Sequence, residues 1–167
     1  KRLSRDKHPN KLFFSYANTV STIDFAKQFK GHGWVGIKYQ VEADEEYNEI
    51  TLHIRFKEND ARLQQETLGV LGVNLIYGAF YKYNDPKKLL RYLYDHLDKD
   101  QLEIDTINFS GPRFANVDNR LMSLQLVKNG MTDAVMFGPD GQNILPAAIL
   151  YKKNILALRG SFRPVTQ

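Results

Sequence analysis

The sequence has 167 residues, of which 43% are hydrophobic and 25% charged, a balance typical of a globular protein with one core. It contains no cysteine, which excludes disulfides and thiolate metal sites and predicts a reducing, cytoplasmic location. No apolar run approaches the roughly 20 residues that span a bilayer, so we expect neither a membrane protein nor a secretory signal. We expect residues 1–167 to be a single α/β domain and a piece of a longer chain, because the sequence opens on Lys1.

The net charge of +4 is unevenly distributed along the chain. Residues 1–30 carry seven basic and two acidic side chains, whereas residues 146–167 carry four basic and no acidic ones. If the two ends meet, they form a basic face that attracts phosphates or an acidic partner; otherwise the terminal charges are simply solvated. No arginine-rich run or ribonucleoprotein motif is present, which argues against nucleic-acid binding.

The predicted elements begin as strands with one helix and then alternate. Before residue 57, the patterns predict a strand, a helix and a two-stranded hairpin, at Lys11–Tyr16, Ile23–Phe29, Trp34–Val41 and Ile50–Phe56. After it, they predict helices at Asp60–Leu71, Pro86–Leu97 and Asp118–Asn129, and strands at Val73–Phe80, Leu102–Phe109, Thr132–Phe137 and Ile155–Arg159. Such alternation is typical of parallel βαβ units. We therefore expect an α/β fold, in which a mainly parallel, Rossmann-like sheet has helices on both faces and an antiparallel hairpin near the N-terminus.

A weak internal repeat supports this architecture. Residues 55–79 align without gaps on residues 113–137, and seven of the twenty-five positions are identical. The shared positions include an aspartate, which suits a helix start, and a glycine, which suits the left-handed residue after a helix. The repeat indicates either a duplicated βαβ unit or two ordinary βαβ units that obey the same rules.

Two polar loops follow strands of the predicted parallel sheet. The first offers Asn18, Thr19 and Ser21, and the second offers Ser110, Gly111 and Arg113. Open α/β sheets bind ligands beyond the carboxyl ends of their strands, where backbone N–H groups point outward. If the strands ending near Tyr16 and Phe109 run side by side in one direction, the loops form a cradle for a phosphate-bearing small molecule, such as a nucleotide. The alternative is that these residues are caps and turns that satisfy helix ends.

Two arginines lie in the first turn of predicted helices. Arg62 and Arg120 each follow an aspartate by two residues. A cation at this position opposes the helix dipole, at a cost of roughly 0.3 to 1 kcal/mol. Either a bound anion or a salt bridge to a neighbouring carboxylate would offset it, so we treat both arginines as outer candidates for phosphate binding.

Other motifs fail on their context. The glycine pattern of residues 31–36 matches the dinucleotide fingerprint in letters, but it precedes a predicted strand instead of a helix. The sequence has four histidines, at His8, His32, His53 and His96. They are scattered singly, so we expect neither a metal site nor a catalytic pair. The acidic segment 42–49 is typical of a charged hairpin tip, with cation binding as the alternative.

Three stretches resemble a known family: Lys11–Asp24, Asn119–Gly130 and Leu156–Thr166. They are similar to an uncharacterised family of longer bacterial proteins, some of which are labelled nicotinate or nicotinamide nucleotide adenylyltransferase. Enzymes of that class bind ATP through a His-x-x-His or His-x-Gly-His motif after the first strand. This sequence has Ala17–Thr22 at that point, so no catalytic residue is carried over and the cofactor is left open.

A function of another class is also consistent with the sequence. Aromatic residues cluster in its middle third, at Tyr77, Phe80, Tyr81, Tyr83, Tyr92 and Tyr94. Most of them would serve core packing, but an exposed aromatic surface would mark a non-catalytic interaction module. Its partner would be the remainder of a longer chain or a second copy.

Overall fold

The sheet at the centre of the fold is antiparallel. The computed structural model describes residues 11–27, 30–156 and 160. Four strands pair in chain order: β1 (Phe14–Asn18), β2 (His32–Tyr39), β3 (Asn48–Phe56) and β4 (Leu102–Ser110). Every neighbouring pair is antiparallel, so the predicted mainly parallel, Rossmann-like sheet is wrong. The predicted hairpin of the second and third strands is confirmed.

The helices follow β3 and β4. They are α1 (Ala61–Tyr81), α2 (Pro86–Tyr92), α3 (Asn119–Lys128) and the short α4 (Pro146–Leu150), with a 3₁₀ turn at Pro112–Phe114. A small hairpin of β5 (Met136–Phe137) and β6 (Asn143–Ile144) lies between α3 and α4. Asp60 and Asp118 cap α1 and α3, as predicted, by accepting hydrogen bonds from the backbone N–H groups that follow them. Among the described residues, no helix combines the length and the hydropathy that crossing a bilayer requires.

Helix α1 explains why the predicted topology is wrong. It runs for 21 residues and contains the whole segment 73–80, which was predicted to be a strand. This apolar segment also fits a helical period, because Leu71, Leu75 and Ala79 are fully buried at intervals of four residues. Gly72 does not end this helix. A Cβ atom there would lie 2.8 Å from the hydroxyl of Tyr16, so glycine allows α1 to lie close to β1.

The two similar segments are not copies of one unit. Arg55 and Phe56 end β3, whereas Arg113 and Phe114 lie in the 3₁₀ turn. Gly72 is inside a helix, but Gly130 follows α3 with φ of 67° and ends it. The predicted βαβ duplication is therefore wrong. The shared residues reflect two helix starts with the same capping chemistry.

One face of the sheet, the inner face, carries the core. Its strands contribute alternate side chains such as Ile37, Leu52 and Ile104, which form a single buried cluster with residues of α1, α2 and α3. Helices α1, α2 and α3 all join this one cluster on the inner face, so the prediction of helices on both faces is wrong. The opposite face of the sheet, the outer face, carries mostly polar side chains.

Several predicted elements differ in length. Residues 23–27 are not helical: a turn lies at residues 25–27, and Lys27 has φ of 56°, which a helix does not accommodate. The last two residues of the predicted helix, 28–29, lie outside the described residues. The helix predicted from residue 86 ends at Tyr92, and the strand predicted from residue 132 is reduced to β5. The final predicted strand, residues 155–159, lies largely outside the described residues.

Candidate functional site on the outer face of the sheet

The outer face is built by the alternation of β2, β3 and β4. Cross-strand pairing sets side chains opposite one another in rows, and the pairs on this face are His32 with Arg55, Trp34 with His53, Gly36 with Thr51, and Lys38 with Glu49. The register continues to β4, where Arg55 faces Glu103 and His53 faces Thr106. Residues that are far apart in the sequence therefore form one polar strip.

A β-bulge places a carboxylate in this strip. The register between β3 and β4 shifts between His53 and Ile54, which leaves Asp105 as the extra residue of β4. Bulges re-aim side chains, and this one brings the Oδ1 of Asp105 to 2.8 Å from the Nδ1 of His53. His53 is 2% exposed and Asp105 5% exposed, so the pair is shielded from water.

A second histidine extends the pair toward the surface. The Nδ1 of His32 lies 3.4 Å from the Nε2 of His53, and His32 is exposed. The ring of Trp34 packs edge-on against His53, with ring centroids 5.1 Å apart. The order from the interior outward is therefore Asp105, His53, His32. We call these three residues the histidine line.

Arg55 joins the histidine line to a second carboxylate. Its Nε lies 3.2 Å from the Oδ2 of Asp105, so both oxygens of that buried carboxylate have a partner. Its Nη2 donates to the Oε1 of Glu103 at 2.8 Å. The hydroxyl of Thr132 donates to the same Glu103 oxygen at 2.6 Å. This network holds Arg55 and Glu103 in place beside the histidines.

A cavity of about 230 Å³ opens where the histidine line reaches the surface. We call it the cationic pocket, because its lining side chains include three cations and a single carboxylate, from Lys30, Arg55, Lys57 and Glu103. His32 forms part of its wall. The ammonium of Lys57 is steadied by donating to the backbone oxygen of Lys99 at 2.8 Å. A cavity lined in this way attracts anions.

Further along the same strip, a groove of about 270 Å³ lies over the first three strands. Gly36 forms its floor, since the residue has no side chain to fill the space, and Trp34, which is 40% exposed, lines it together with Lys38. Asn18 and Thr19 also line this groove. It combines an aromatic surface, hydroxyls and an ammonium group, which are the groups that small polar ligands use.

The two loops predicted to form a cradle lie at opposite ends of the sheet. Strands β1 and β4 are the two edges of the sheet and run in opposite directions. Across the sheet, the pairing that starts at Asn18 on β1 ends at Ile107 on β4, whereas Ser110 on β4 is level with Ser15 on β1. The separation is about 10 Å along the strands and about 14 Å across them. The predicted parallel neighbours do not exist, so these loops do not share a hollow.

Arg113 and Gly111 hold the acidic turn between β2 and β3. The guanidinium of Arg113 donates to the Oε1 of Glu45 at 2.6 Å and to the Oε1 of Glu42 at 2.5 Å. These hydrogen bonds raise the pKa of Arg113 above its ordinary value. Gly111 has φ of 103°, and a Cβ atom there would lie 2.5 Å from the backbone oxygen of Tyr47. Both residues thus have structural partners within the fold.

The remaining predicted residues also have neighbours in the fold. Arg62 pairs with Glu66 one turn along α1, at 3.2 Å. Arg120 pairs with its own N-cap, Asp118, at 2.9 Å, and this hydrogen bonding lowers the pKa of Asp118. Glu66 and Asp118 are therefore the neighbouring carboxylates that offset the unfavourable interaction of these arginines with the helix dipole. Ser21 forms a bridge to His32 at the start of β2.

Sequence reasoning missed the histidine line because it looked for local spacing. His32 and His53 are 21 positions apart and meet only through the hairpin, and Asp105 is 52 positions from His53. One signal was present, since the predicted hairpin places Trp34 and His53 on its polar side. The bulge that brings in Asp105 leaves no comparable mark in the sequence.

Comparisons with known proteins add no family to this geometry. No protein-family model, curated protein or solved structure matches the chain. The resemblance to the adenylyltransferase-labelled family therefore stays a prediction. Among the described residues, no group of three histidine, aspartate or glutamate side chains could hold a metal ion.

Proposed function

We propose that this protein binds a phosphate-bearing small molecule on the outer face of its sheet, with the phosphate in the cationic pocket. The observation that carries the proposal is the convergence of Lys30, Arg55 and Lys57 on one cavity that contains a single carboxylate, Glu103. Arg55 is committed to the carboxylates of Glu103 and Asp105. The two lysines therefore supply the charge for the ligand, each as a flexible point charge suited to phosphate oxygens.

The groove beside the pocket favours a ligand with a planar ring. Trp34 offers an aromatic surface there, and Gly36 leaves room above the sheet. From His32 to Gly36 the strand spans about 13 Å, so a ligand that occupies both places extends over about that distance, with a phosphate at one end and a ring at the other. A nucleotide has this composition. Since the sequence contains no cysteine, we place the protein in the cytoplasm.

Calorimetric titration with inorganic pyrophosphate and with ADP tests this proposal. We expect both to bind, and Lys57→Gln to weaken each by roughly tenfold, because a charge-assisted hydrogen bond contributes about 1.5 to 3 kcal/mol. Lys87→Gln is the matched control, since Lys87 is an exposed lysine on α2 that does not line the pocket. No heat with either ligand, or equal losses in the two variants, would remove the proposal.

The alternative function, an interaction module, has one feature in its favour. Tyr77 and Tyr81 are 41% and 70% exposed, and their ring centroids are 4.6 Å apart. Tyr92 stacks beside them, whereas Phe80, Tyr83 and Tyr94 pack against the core. Under this alternative a second copy covers the tyrosines. Light scattering across a concentration series tests it, because a strict monomer contradicts self-association.

A further inference from the structure

We infer that His32 is a general base at the cationic pocket, positioned through His53 by Asp105, and that the protein hydrolyses a phosphate ester bound there. This inference rests on the proposed function, since it needs a phosphate ester in the pocket. It assigns chemistry to the histidine line, which binding alone does not use.

The hydrogen bonds define the protonation pattern of the line. A carboxylate only accepts, so the Nδ1 of His53, 2.8 Å from the Oδ1 of Asp105, carries a proton. In a neutral His53 the Nε2 is then an acceptor, and the contact of 3.4 Å to the Nδ1 of His32 requires the proton to be on His32. The Nε2 of His32 is left with a free lone pair. An exposed imidazole that forms part of the pocket wall thus presents a base to the ligand.

The reaction that follows is balanced without a metal or a cofactor. A water molecule gives a proton to the Nε2 of His32, while its oxygen forms a bond to phosphorus. The Nδ1 proton of His32 passes to the Nε2 of His53, and the resulting imidazolium is stabilised by the carboxylate of Asp105. The bond from phosphorus to the ester oxygen breaks, and the leaving alkoxide takes the proton from the Nε2 of His32. His53 then returns its extra proton to the Nδ1 of His32, so both imidazoles end neutral. A diester and water become a monoester and an alcohol.

The charges around the line suit this reaction. The titratable and charged groups around His32 come from the segments flanking β2 and β3, from β3 and from β4: Lys30, His53, Arg55, Lys57, Glu103 and Asp105. The cations stabilise the charge that builds on the phosphate oxygens. Asp105 stabilises the protonated His53. Burial of the His53–Asp105 pair strengthens that effect, because the local dielectric constant is low.

The exposed end of the histidine line distinguishes it from a histidine–aspartate pair that only supports the fold. A buried histidine and aspartate that only support the sheet would need no third member. Here His53 is continued by His32, which is exposed and lines a cavity with three cations. Among the described residues, the remaining histidine, His96, lies apart from this network in a turn, with φ of 56°.

Hydrolysis of bis(p-nitrophenyl) phosphate by the whole chain tests the inference. We expect turnover that is lost in acid, because a protonated His32 cannot accept a proton from water. We also expect a loss of about 100-fold or more in His32→Gln, and of at least about tenfold in Asp105→Asn. His96→Asn is the control and keeps full turnover, because asparagine tolerates a positive φ. Rescue of part of the His32→Gln loss by added imidazole separates a base from a structural support.

Pyrophosphate binding, measured on the same variants, separates the two claims. Binding that survives His32→Gln while turnover falls supports the inference. If the wild-type protein binds pyrophosphate without hydrolysing the diester, or if His32→Gln keeps the wild-type turnover and pH profile, the inference is overturned and the proposed function stands. If the wild-type protein binds neither pyrophosphate nor the diester, both are overturned.

Discussion

The Nδ1 of His53 and the Oδ1 of Asp105 lie 2.8 Å apart, although the two residues are 52 positions apart in the chain. They meet at the bulge in β4, where Asp105 is the extra residue between Ile104, which pairs with Ile54, and Thr106, which pairs with His53. The bulge gives the outer face a buried carboxylate that also pairs with Arg55 at 3.2 Å. The hydrogen bonds of the outer face to His53 and Arg55 therefore centre on this bulge.

Removal of the Asp105 carboxylate should destabilise the fold. In Asp105→Ala the buried Nδ1–H of His53 loses its acceptor, and we expect the free energy of unfolding to fall by about 1.5 to 3 kcal/mol. Urea denaturation followed by circular dichroism measures this change. Asp100→Ala, in the exposed turn before β4, is the control and should lie within about 0.5 kcal/mol of the wild type. Equal stability of the two variants would show that the pair contributes nothing.

Two glycines offer substitutions of opposite sign. Gly111→Ala forces a side chain into a left-handed conformation at φ of 103° and against the backbone of Tyr47, so we expect a loss of about 2 kcal/mol or more. Gly69→Ala adds a methyl group to α1 where no atom lies within 4 Å. It should gain about 0.5 to 1 kcal/mol through helix propensity. Melting temperatures of both variants check the prediction, and a stabilised Gly111→Ala would contradict the close approach.

The pairing of Arg113 with Glu45 predicts a pH dependence. Burial raises the pKa of Glu45, but hydrogen bonds from Arg113 and from the backbone of Glu42 and Val41 outweigh it and hold this pKa below the ordinary value of 4.5. A lowered pKa in the folded state stabilises the fold above the ordinary value, and this contribution disappears as pH falls through the lowered value. Arg113→Gln should therefore be less stable than the wild type at pH 7, with a difference that shrinks in acid.

Urea denaturation of both proteins from pH 7 to pH 2.5 measures that difference. Arg62→Gln is the comparison, since Arg62 is 82% exposed beside Glu66 and should change stability little at any pH. A constant gap between Arg113→Gln and the wild type at every pH would contradict the assignment. Because its guanidinium is engaged by Glu42 and Glu45, we also expect Arg113→Gln to bind pyrophosphate normally.

The groove and the cationic pocket should respond to different substitutions. Gly36→Val fills the floor of the groove with a residue that strands tolerate, and we expect it to weaken ADP binding by roughly tenfold while pyrophosphate binding stays within about twofold. Trp34 is the only tryptophan in the sequence, so its fluorescence reports on the groove directly. Equal weakening of the two ligands by Gly36→Val would show that they do not occupy separate places.

Local patterns in the sequence predicted local structure well. The caps at Asp60 and Asp118, the hairpin of β2 and β3, and the strand from Leu102 were confirmed, because each depends on side chains that are close in sequence. The direction of the sheet was not predicted. The prediction of strand direction depended on segment 73–80, whose apolar run fits a buried strand and a buried helix equally well.

The candidate site was harder to predict than the fold. Residues such as Ser110 and Arg113 were chosen because parallel strands would have aligned their loops, and antiparallel pairing separates them. His32, His53 and Asp105 each look unremarkable in the sequence. Their proximity depends on the register of three strands and on one extra residue in β4, and neither is encoded in short-range spacing.

The protonation of His53 in solution shows whether the histidine line is oriented from Asp105 outward. Long-range ¹H–¹⁵N spectra of the imidazole side chains, recorded on the whole chain at pH 8, distinguish a protonated nitrogen from an acceptor nitrogen. We expect His53 to carry its proton on Nδ1 and His32 to keep an unprotonated Nε2, and we expect the His53 pattern to be lost in Asp105→Ala. A proton on the Nε2 of His53, with Nδ1 bare in the wild-type protein, would contradict the orientation of the whole histidine line.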